Sequence, residues 1–475
     1  MIAARFARSP IVRVVGSLWI GFLTAQVLGF LATVWTVRAL GPAVFGAVAA
    51  AQALAAYATL FASAGTDVWG TREAARYQQG SAPPVGLADI MGARTIAALT
   101  ASAFIILLAS LQTTLRQDLR LIALFCLASV PVALRFDWWL LARSRGWVVG
   151  LANGARAIVT LAIVAVAVHA PVDKEWVAIA QIAGLAVASL VSLRFATDAF
   201  EWRASPSFAN LKRITKEALP LGAALLAAQI YYNLDVILLR LWRSEAETGL
   251  YASAYRIALL IIGLRHLLVQ GLFPQLVRSA HAGAEEARTI VLAAQRVGTS
   301  FGFPLVVGGI LWATPVLRLV FGEGFRGAGS TFAVLLAMTG VVFIDLAWPQ
   351  LLNAYDRSGT YFWVILSGAI VNLALNIVLI PRVGMMGAAI ATFAAELAVM
   401  LAAVWSVRST VRVPFFSYAS RPLMASIGMA VAGYVTMPAG LIWSIGSAVA
   451  VYLLLLVVSR AVTFNDFIVL ERGTA

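Results

Sequence analysis

The sequence predicts an all-α polytopic membrane protein with about fourteen transmembrane helices, and three observations support this fold class. Apolar residues fill 61% of the 475 positions and charged residues only 12%, whereas soluble domains are about half apolar and about a quarter charged. The mean hydropathy is +0.90. Apolar runs of roughly twenty residues, long enough to cross a bilayer core, recur from end to end. Since these runs are about twice the length of a barrel strand, they predict helices.

The predicted helices alternate with short hydrophilic connections. The first apolar run follows Arg5, Arg8 and Arg13, but it is too long for a cleaved signal peptide, so we interpret it as the first membrane helix. We place the fourteen helices at 14–37, 43–64, 91–111, 120–141, 148–168, 175–195, 218–241, 249–273, 294–319, 328–354, 360–380, 385–407, 421–438 and 441–460.

A short internal repeat divides these helices into two halves. Gln26 follows Ala25 and precedes Gly46 by twenty residues, and Ala228-Gln229 precedes Gly249 by the same interval. Two halves in the same orientation predict two six-helix bundles with pseudo-two-fold symmetry about an axis along the membrane normal. The predicted domains are an N-terminal six-helix bundle at 1–198, a cytoplasmic linker at 199–217, a C-terminal six-helix bundle at 218–410 and an additional transmembrane helix pair at 411–475.

The net charge of +14 does not indicate nucleic-acid binding, because the basic residues lie in short connections rather than on one continuous face. With the N-terminus inside, the inner connections carry more Lys and Arg than the outer ones, so we expect both termini in the cytoplasm. The three histidines have no metal-ligand spacing. The sequence contains no Walker motif, and we expect neither a cofactor nor a metal.

Several motifs, taken in order along the chain, resemble the oligosaccharide flippase (Wzx-type, polysaccharide biosynthesis) family of the MOP transporter superfamily. The likeness extends over roughly residues 14–410 and is carried by Arg38-Ala-Leu-Gly-Pro-Ala-Val-Phe-Gly46, Gly249-Leu-Tyr-Ala-Ser-Ala-Tyr-Arg256, Leu272-Phe-Pro274 and Val371-Asn-Leu-Ala-Leu-Asn-Ile-Val-Leu-Ile-Pro381.

The resemblance implies a fold of two bundles around a central cavity and a location in the bacterial inner membrane. It implies that the cargo is an undecaprenyl-diphosphate-linked oligosaccharide, flipped from the cytoplasmic to the periplasmic leaflet for cell-surface polysaccharide synthesis. It also implies alternating access coupled to H⁺ or Na⁺. The partners expected on this basis are the lipid-linked cargo, membrane lipids and other polysaccharide-assembly proteins.

Charges inside apolar helices are expensive, so each is a candidate functional residue. Arginine can pair with two phosphate oxygens at once, which favours a role in binding the diphosphate of the cargo. The alternative is an ion pair with a neighbouring carboxylate, as for Arg135 beside Asp137. The basic substrate-binding candidates are Arg135, Arg156, Arg256 and Arg265.

A polar stripe on the predicted seventh helix adds further substrate-binding candidates, namely Gln229, Tyr232 and Asn233, and Tyr255 on the next helix could stack against a sugar ring. Membrane carboxylates can bind a proton or a cation, and the predicted ion-coupling residues are Asp235, Asp345 and Glu396. For Asp235 a buried ion pair with an arginine of the eighth helix is the alternative.

Two other functions stay open. A MATE-like multidrug antiporter or a peptidoglycan-precursor flippase of the same superfamily would fit the fold, although the intramembrane arginines disfavour cationic drugs. A membrane polysaccharide polymerase or ligase is the alternative of another class. Such enzymes need a sizeable outer loop, and the predicted outer connections are short. We therefore expect a secondary-active transporter rather than an enzyme.

Overall fold

The computed structural model describes residues 10–63, 65–78, 85–201, 207–463 and 466. The chain divides into two compact units, Met1–Gly249 and Leu250–Ala475. In the described part of the first unit the α-helices are α1 (Pro10–Ser63), α2 (Thr66–Gln78), α3 (Leu87–Leu111), α4 (Thr113–Arg116), α5 (Leu119–Leu127), α6 (Ser129–Ala133), α7 (Asp137–Ala142), α8 (Gly146–Ala167), α9 (Lys174–Phe195) and α10 (Phe208–Trp242).

The second unit is also helical throughout its described residues. Helix α11 begins at the end of the first unit and continues into the second. Short 3-10 turns lie at Glu323–Ala328 and Met437–Ala439. The α-helices are α11 (Glu245–Ala282), α12 (Ala284–Phe321), α13 (Gly329–Ile344), α14 (Trp348–Ala354), α15 (Ser358–Val383), α16 (Met385–Val407), α17 (Phe416–Thr436) and α18 (Leu441–Val458).

The predicted polytopic membrane fold is confirmed. Among the described residues, twelve helical stretches are long and apolar enough to cross a bilayer. One of them, at 21–77, includes most of the first predicted helix and all of the second, and the predicted seventh helix lies within α10. The count of fourteen and the symmetry between bundles stay predictions. The positions of both chain ends, with Arg5 and Arg8, fall outside the described residues.

Helix α1 changes direction at Gly41, between the first two predicted membrane helices. Gly41 has φ 71°, a left-handed conformation that glycine adopts without a Cβ penalty. Pro42 follows and provides the fixed φ that suits the start of a helix. The Leu-Gly-Pro sequence at 40–42 therefore encodes a kink between two helical segments.

The two glycines of the internal repeat contact each other's helices. A Cβ added at Gly46 would collide with the carbonyl oxygen of Glu245, and a Cβ added at Gly249 would collide with the carbonyl oxygen of Pro42. Glu245 precedes Gly249 by four residues, and Pro42 precedes Gly46 by four. The contact is therefore reciprocal, and it brings the backbones of α1 and α11 closer than any side chain would allow.

Two predicted membrane helices, 120–141 and 328–354, are interrupted rather than continuous. The first is divided into α5, α6 and α7, with its main break at 134–136, and the second into α13 and α14, with a break at 345–347. Pro349 accounts for the second break, because proline cannot donate to the carbonyl four residues earlier, at Asp345. Each break contains one charged residue, Arg135 or Asp345, between apolar neighbours. A single charge lowers the hydropathy too little to end a predicted helix, so hydropathy alone could not find the breaks.

The segment that leads into α10 is attached to the first unit. Asp89 accepts hydrogen bonds from the backbone N–H of Ser207 at 3.1 Å and from Nδ2 of Asn210 at 2.8 Å. Nε1 of Trp69 donates to the carboxylate of Glu217 at 2.8 Å, and α10 packs against α1, α2 and α3. The domain boundaries at 198 and 217 stay predictions, and residues 202–206 of the predicted linker lie outside the described ranges.

The additional helix pair packs on α12 through polar as well as apolar contacts. Nε1 of Trp312 donates to Oγ of Ser444 at 2.9 Å, and the hydroxyl of Tyr452 donates to the carbonyl of Ser300 at 2.6 Å. These bonds satisfy polar atoms among apolar neighbours, where an unpaired group is costly. Helices α17 and α18 are therefore an integral part of the second unit.

We expect Gly46→Ala to destabilise the protein by about 1–3 kcal/mol, because the new methyl group overpacks a backbone contact. Gly29→Ala is the matched control, since a Cβ there meets nothing within 4 Å. Thermal unfolding of the detergent-purified chain measures both. Equal melting temperatures for the two variants would contradict the close contact.

The attachment of Glu217 should depend on pH. The hydrogen bond from Trp69, with a smaller effect from Arg213, holds the pKa of Glu217 below its ordinary value of 4.5. When the pKa of a carboxyl group is lower in the folded protein, the group stabilises the fold at every pH above its ordinary pKa. This stabilisation is lost as the pH falls through the lowered, folded-state pKa. We expect the melting-temperature difference between wild type and Glu217→Gln to be present above the ordinary pKa of 4.5 and to shrink as the pH falls below it. Glu286→Gln, a change at an exposed glutamate, is the control, and a constant difference for Glu217→Gln would refute the expectation.

Candidate functional site

The break at 134–136 is held by Arg94 of α3. Its Nε donates to the carbonyl of Ala133 at 2.9 Å and its Nη2 to the carbonyl of Val132 at 3.1 Å. Its Nη1 pairs with Asp67 at 2.6 Å, and the Arg94 side chain is only 1% exposed. Carbonyls at a helix break in a membrane need donors from the protein, and Arg94 provides them.

Further charges gather beside this break. Arg135 forms an ion pair with Asp137, and its Nη2 donates to Oδ1 of Asn153 on α8 at 3.0 Å. Arg156 lies one turn further along α8. It is close enough to Arg135 and Asp137 to interact electrostatically with both. We call Asp67, Arg94, Arg135, Asp137 and Arg156 the first cluster. With three arginines and two aspartates ionised, it carries one net positive charge.

The break at 345–347 is held in a comparable way by two side chains of the second unit. Nε2 of Gln295 donates to the carbonyl of Ile344 at 3.0 Å, and its Oε1 accepts from the N–H of Ala347 at 3.3 Å. Nε of Arg265 donates to the carbonyl of Val342 at 2.8 Å, and Nη2 donates to the carbonyl of Asp345 at 3.1 Å. Arg265 thus satisfies the carbonyl that Pro349 leaves without a helical donor.

Two carboxylates accompany Arg265. Asp345 is only 4% exposed, and its Oδ1 has no hydrogen-bond partner among the described residues. Glu396 on α16 is half-buried and lies within electrostatic range of Asp345. We call Arg265, Asp345 and Glu396 the second cluster. With all three ionised it carries one net negative charge, the opposite of the first.

The polar stripe of α10 lies in the first unit. Asp235 is buried and lies near Tyr57 of α1. Nδ2 of Asn233 donates to the carbonyl of Gln229 at 3.3 Å, and Tyr232 is 36% exposed. Gln229, Tyr232 and Asn233 share one helix face, Asp235 flanks it, and the roles of all four stay predictions.

Arg240, near the C-terminal end of α10, is engaged in ion pairs. It is buried, and Nη2 pairs with Asp118 at 2.8 Å and with Glu245 at 2.7 Å. These pairs fix the end of α10 beside the short helix α4, because Nη2 also donates to the carbonyl of Thr114 at 3.2 Å.

The candidates on α11 belong to the second unit. Arg256 is half-buried. Tyr255 is buried and stacks on Tyr251, with ring centroids 5.6 Å apart. A sugar could contact Tyr255 only after this packing changes, so stacking on cargo stays a prediction.

The structure brings the predicted residues into separate groups. Arg135 and Arg156 meet in the first cluster, Arg265, Asp345 and Glu396 meet in the second, and Gln229, Tyr232, Asn233 and Asp235 share α10. Arg135 forms an ion pair with Asp137, which is the alternative to phosphate binding that the sequence suggested for Arg135. Trp138 and Trp139, which follow the break, are fully buried in the core of the first unit.

Sequence reasoning missed the two residues that hold the broken helices, Arg94 and Gln295. Each lies near the start of a predicted helix, at 91–111 and 294–319, where polar residues usually mark the water interface. A usable signal existed for Arg94, since a charged residue inside a predicted membrane run is a functional candidate. An uncharged glutamine gives no comparable signal.

Comparison with known proteins places this chain among polysaccharide-related membrane proteins. The profile described as "Polysaccharide biosynthesis protein" matches residues 11–280. The Haloferax volcanii protein named "Probable flippase AglR" is 28% identical over 183 residues, 38% of this chain and 38% of that protein. "Probable low-salt glycan biosynthesis flippase Agl15" from the same organism is 20% identical over 188 residues, 39% of this chain and 40% of that protein. The chain thus matches about two fifths of the length of these curated relatives.

Two solved structures share the fold. The structure titled "Lipid II flippase MurJ, inward closed conformation" has a TM-score of 0.74 at 15% identity and covers 95% of this chain and 99% of its own. An inward-facing multidrug resistance MATE family transporter of the MOP superfamily has a TM-score of 0.58 at 15% identity, covering 81% and 94%. At this identity the likeness establishes the fold alone.

We expect Arg94→Met to destabilise the protein by about 2 kcal/mol or more, because it removes charge-assisted donors from buried carbonyls. Thermal unfolding measures the total effect, and hydrogen exchange at residues 132–136 locates it. Arg120→Met is the control, since Arg120 is 82% exposed and only pairs with Glu175 at the surface. Unchanged exchange at the break in Arg94→Met would show that another group holds these carbonyls.

Proposed function

We propose that this chain, which belongs to the polysaccharide biosynthesis protein family, is a flippase for a lipid-linked oligosaccharide. It moves an undecaprenyl-diphosphate-linked sugar from the cytoplasmic to the periplasmic leaflet of the bacterial inner membrane, for the synthesis of cell-surface polysaccharide. Both termini lie in the cytoplasm, and the protein is a secondary-active transporter rather than an enzyme. The names of the two Haloferax relatives and the fold shared with a lipid II flippase support this proposal.

The observation that carries the proposal is the pair of interrupted membrane helices with acidic and basic side chains at their breaks. A continuous apolar helix needs no charged side chain, whereas discontinuous helices at membrane depth commonly surround the substrate and ion sites of transporters. Here each break is capped by side chains and accompanied by carboxylates, and the two clusters differ in net charge. That difference supports separate sites for an anionic cargo and for a coupling cation.

The arginines suit the headgroup of the cargo. A diphosphate must lose hydration to pass the bilayer core, and a guanidinium can replace water with paired hydrogen bonds. Arg135, Arg156 and Arg256 are the proposed cargo-binding arginines, and Gln229, Tyr232, Asn233 and Tyr255 are proposed to contact the sugars. Arg265 has less capacity for this role in the present conformation, because two of its nitrogens already donate to backbone carbonyls.

The second cluster suits the coupling ion. Asp345 and Glu396 together outnumber the single charge of Arg265, so binding one proton or one Na⁺ would make the cluster neutral. A buried carboxylate with an unpartnered oxygen gains most from such binding, since isolated charge is costly in the membrane. We propose Asp345 and Glu396 as the coupling pair, with Asp235 as a further carboxylate on α10.

We expect Asp345→Asn to reduce gradient-driven flipping about tenfold, a typical size for a lost coupling. The assay reconstitutes the chain in proteoliposomes with a fluorescent undecaprenyl-diphosphate oligosaccharide and compares rates with and without an H⁺ or Na⁺ gradient. Asp356→Asn is the matched control, because Asp356 is an exposed loop residue with φ 56° that asparagine also adopts.

Each outcome of this assay bears on one part of the proposal. A wild-type chain that flips the lipid, with Asp345→Asn responding to the gradient like wild type, would refute the coupling role and leave the flippase. A wild-type chain that exports cationic drugs and leaves the lipid in place would favour the multidrug antiporter, and preference for lipid II would favour a peptidoglycan-precursor flippase. Extension or transfer of the glycan without flipping would favour a polymerase or ligase.

A further inference from the structure

The first cluster contains polar atoms whose partners are missing from the described part of the chain. Nε of Arg135, Oδ1 of Asp137 and Nε of Arg156 are each buried from solvent and make no hydrogen bond to any described residue. All three belong to side chains near the break at 134–136. Buried polar atoms are normally paired, so the two unpartnered arginine Nε donors indicate a place for an acceptor that the described residues do not supply.

The charges of the first cluster are unevenly distributed. Arg94 is fully engaged, with Asp67 and two carbonyls as its acceptors, and Arg135 is paired with Asp137. No carboxylate among the described residues lies within ion-pair distance of Arg156, since Asp137 is bound to Arg135. The first cluster therefore holds one more guanidinium than carboxylates inside an apolar unit, which is costly for the protein without a bound anion.

We propose that the first cluster is a binding site for a phosphate-type oxyanion, held by the guanidinium groups of Arg156 and Arg135 with the amide of Asn153 beside them. An oxyanion would neutralise the excess positive charge and supply acceptors for the unpartnered Nε atoms. Arginine is suited to this ligand, because its planar donors match oxygens of a tetrahedral phosphate. Asp137 competes with the oxyanion, because it pairs with Arg135 and its own charge limits the affinity.

The site lies entirely within the first unit, so its existence does not require any particular cargo. The identification of the oxyanion as the diphosphate of a transported lipid rests on the proposed function. The binding of a free phosphate does not depend on that function. The second cluster offers no such site, because its two carboxyl groups outnumber its one arginine and Arg265 is engaged with backbone carbonyls. Anion binding and ion coupling are thereby assigned to different units.

Water is the competing occupant. A water molecule could pair with the three unpartnered atoms, but it would leave the net charge of the first cluster unchanged. The two occupants differ in how they respond to charge. An oxyanion must bind more weakly when a positive group is removed and more tightly when a negative group is removed, whereas a purely structural, water-filled cluster has no such opposite dependence.

The experiment titrates the purified full-length chain, in nanodiscs of zwitterionic lipid, with radiolabelled inorganic pyrophosphate. We expect Arg156→Gln to weaken binding about tenfold or more, since a hydrogen bond to a charged group is lost. Asp137→Asn should strengthen binding several-fold, because it removes the competing negative charge. Arg120→Gln, which changes the net charge by the same amount as Arg156→Gln but at the surface, should bind like wild type.

Arg156→Gln and Asp137→Asn are expected to change the affinity in opposite directions, so the proposal stays falsifiable if one of the two variants folds poorly. Binding that is absent in wild type, or equal in Arg156→Gln and Arg120→Gln, would overturn the proposal, and so would weaker binding in Asp137→Asn with an unchanged melting temperature. Competition by undecaprenyl diphosphate but not by undecaprenol would identify the lipid headgroup as the ligand. Pyrophosphate binding that the lipid does not displace would identify a site for a free oxyanion. Failure of flipping with intact pyrophosphate binding would reject the proposed function and retain this site.

Discussion

The structure depends on how backbone carbonyls are satisfied where a membrane helix is interrupted. Lipid offers no donors, so each interruption must be completed by side chains. Arg94 does this for the carbonyls at 132 and 133, while Gln295 and Arg265 do it for those at 342, 344 and 345. The need for donors brings charged groups into the apolar interior. Once present, these charges attract carboxylates, and the clusters that result carry the chemistry proposed above.

The two units solve the same structural problem with different charge. In the first unit the donor is Arg94, on the membrane helix before the broken one. Arg94 is charged and pairs with Asp67 as its counter-ion. In the second, the neutral Gln295 of α12 fills the corresponding role, and Arg265 comes from the helix before that. Duplication of one bundle, followed by specialisation of each half, would give two similar architectures with opposite net charge. The local reciprocity of Gly46 and Gly249 is consistent with such a duplication, although the symmetry of whole bundles stays a prediction.

The sequence was sufficient to predict the membrane fold, because length and apolarity determine where helices cross. The predicted helix 441–460 and the observed α18, Leu441–Val458, nearly coincide. It was also sufficient to select Asp345 and Arg265 as candidates, since a charge in an apolar run stands out. It could not predict the break beside Arg135, because a single charge between Leu134 and Phe136 does not show that the helix is interrupted. Nor could it assign partners, because Arg156 and Asp137 lie on different helices and their proximity depends on packing.

The opposite charges of the clusters have a consequence for an energised membrane. A membrane potential exerts a force on every buried charge that moves through it, worth about 2.3 kcal/mol per elementary charge across 100 mV. A conformational change that shifts both clusters in the same direction would experience cancelling electrical work. A rocking change that shifts them in opposite directions would add the two contributions, so that voltage alone would bias the protein before any ligand is bound.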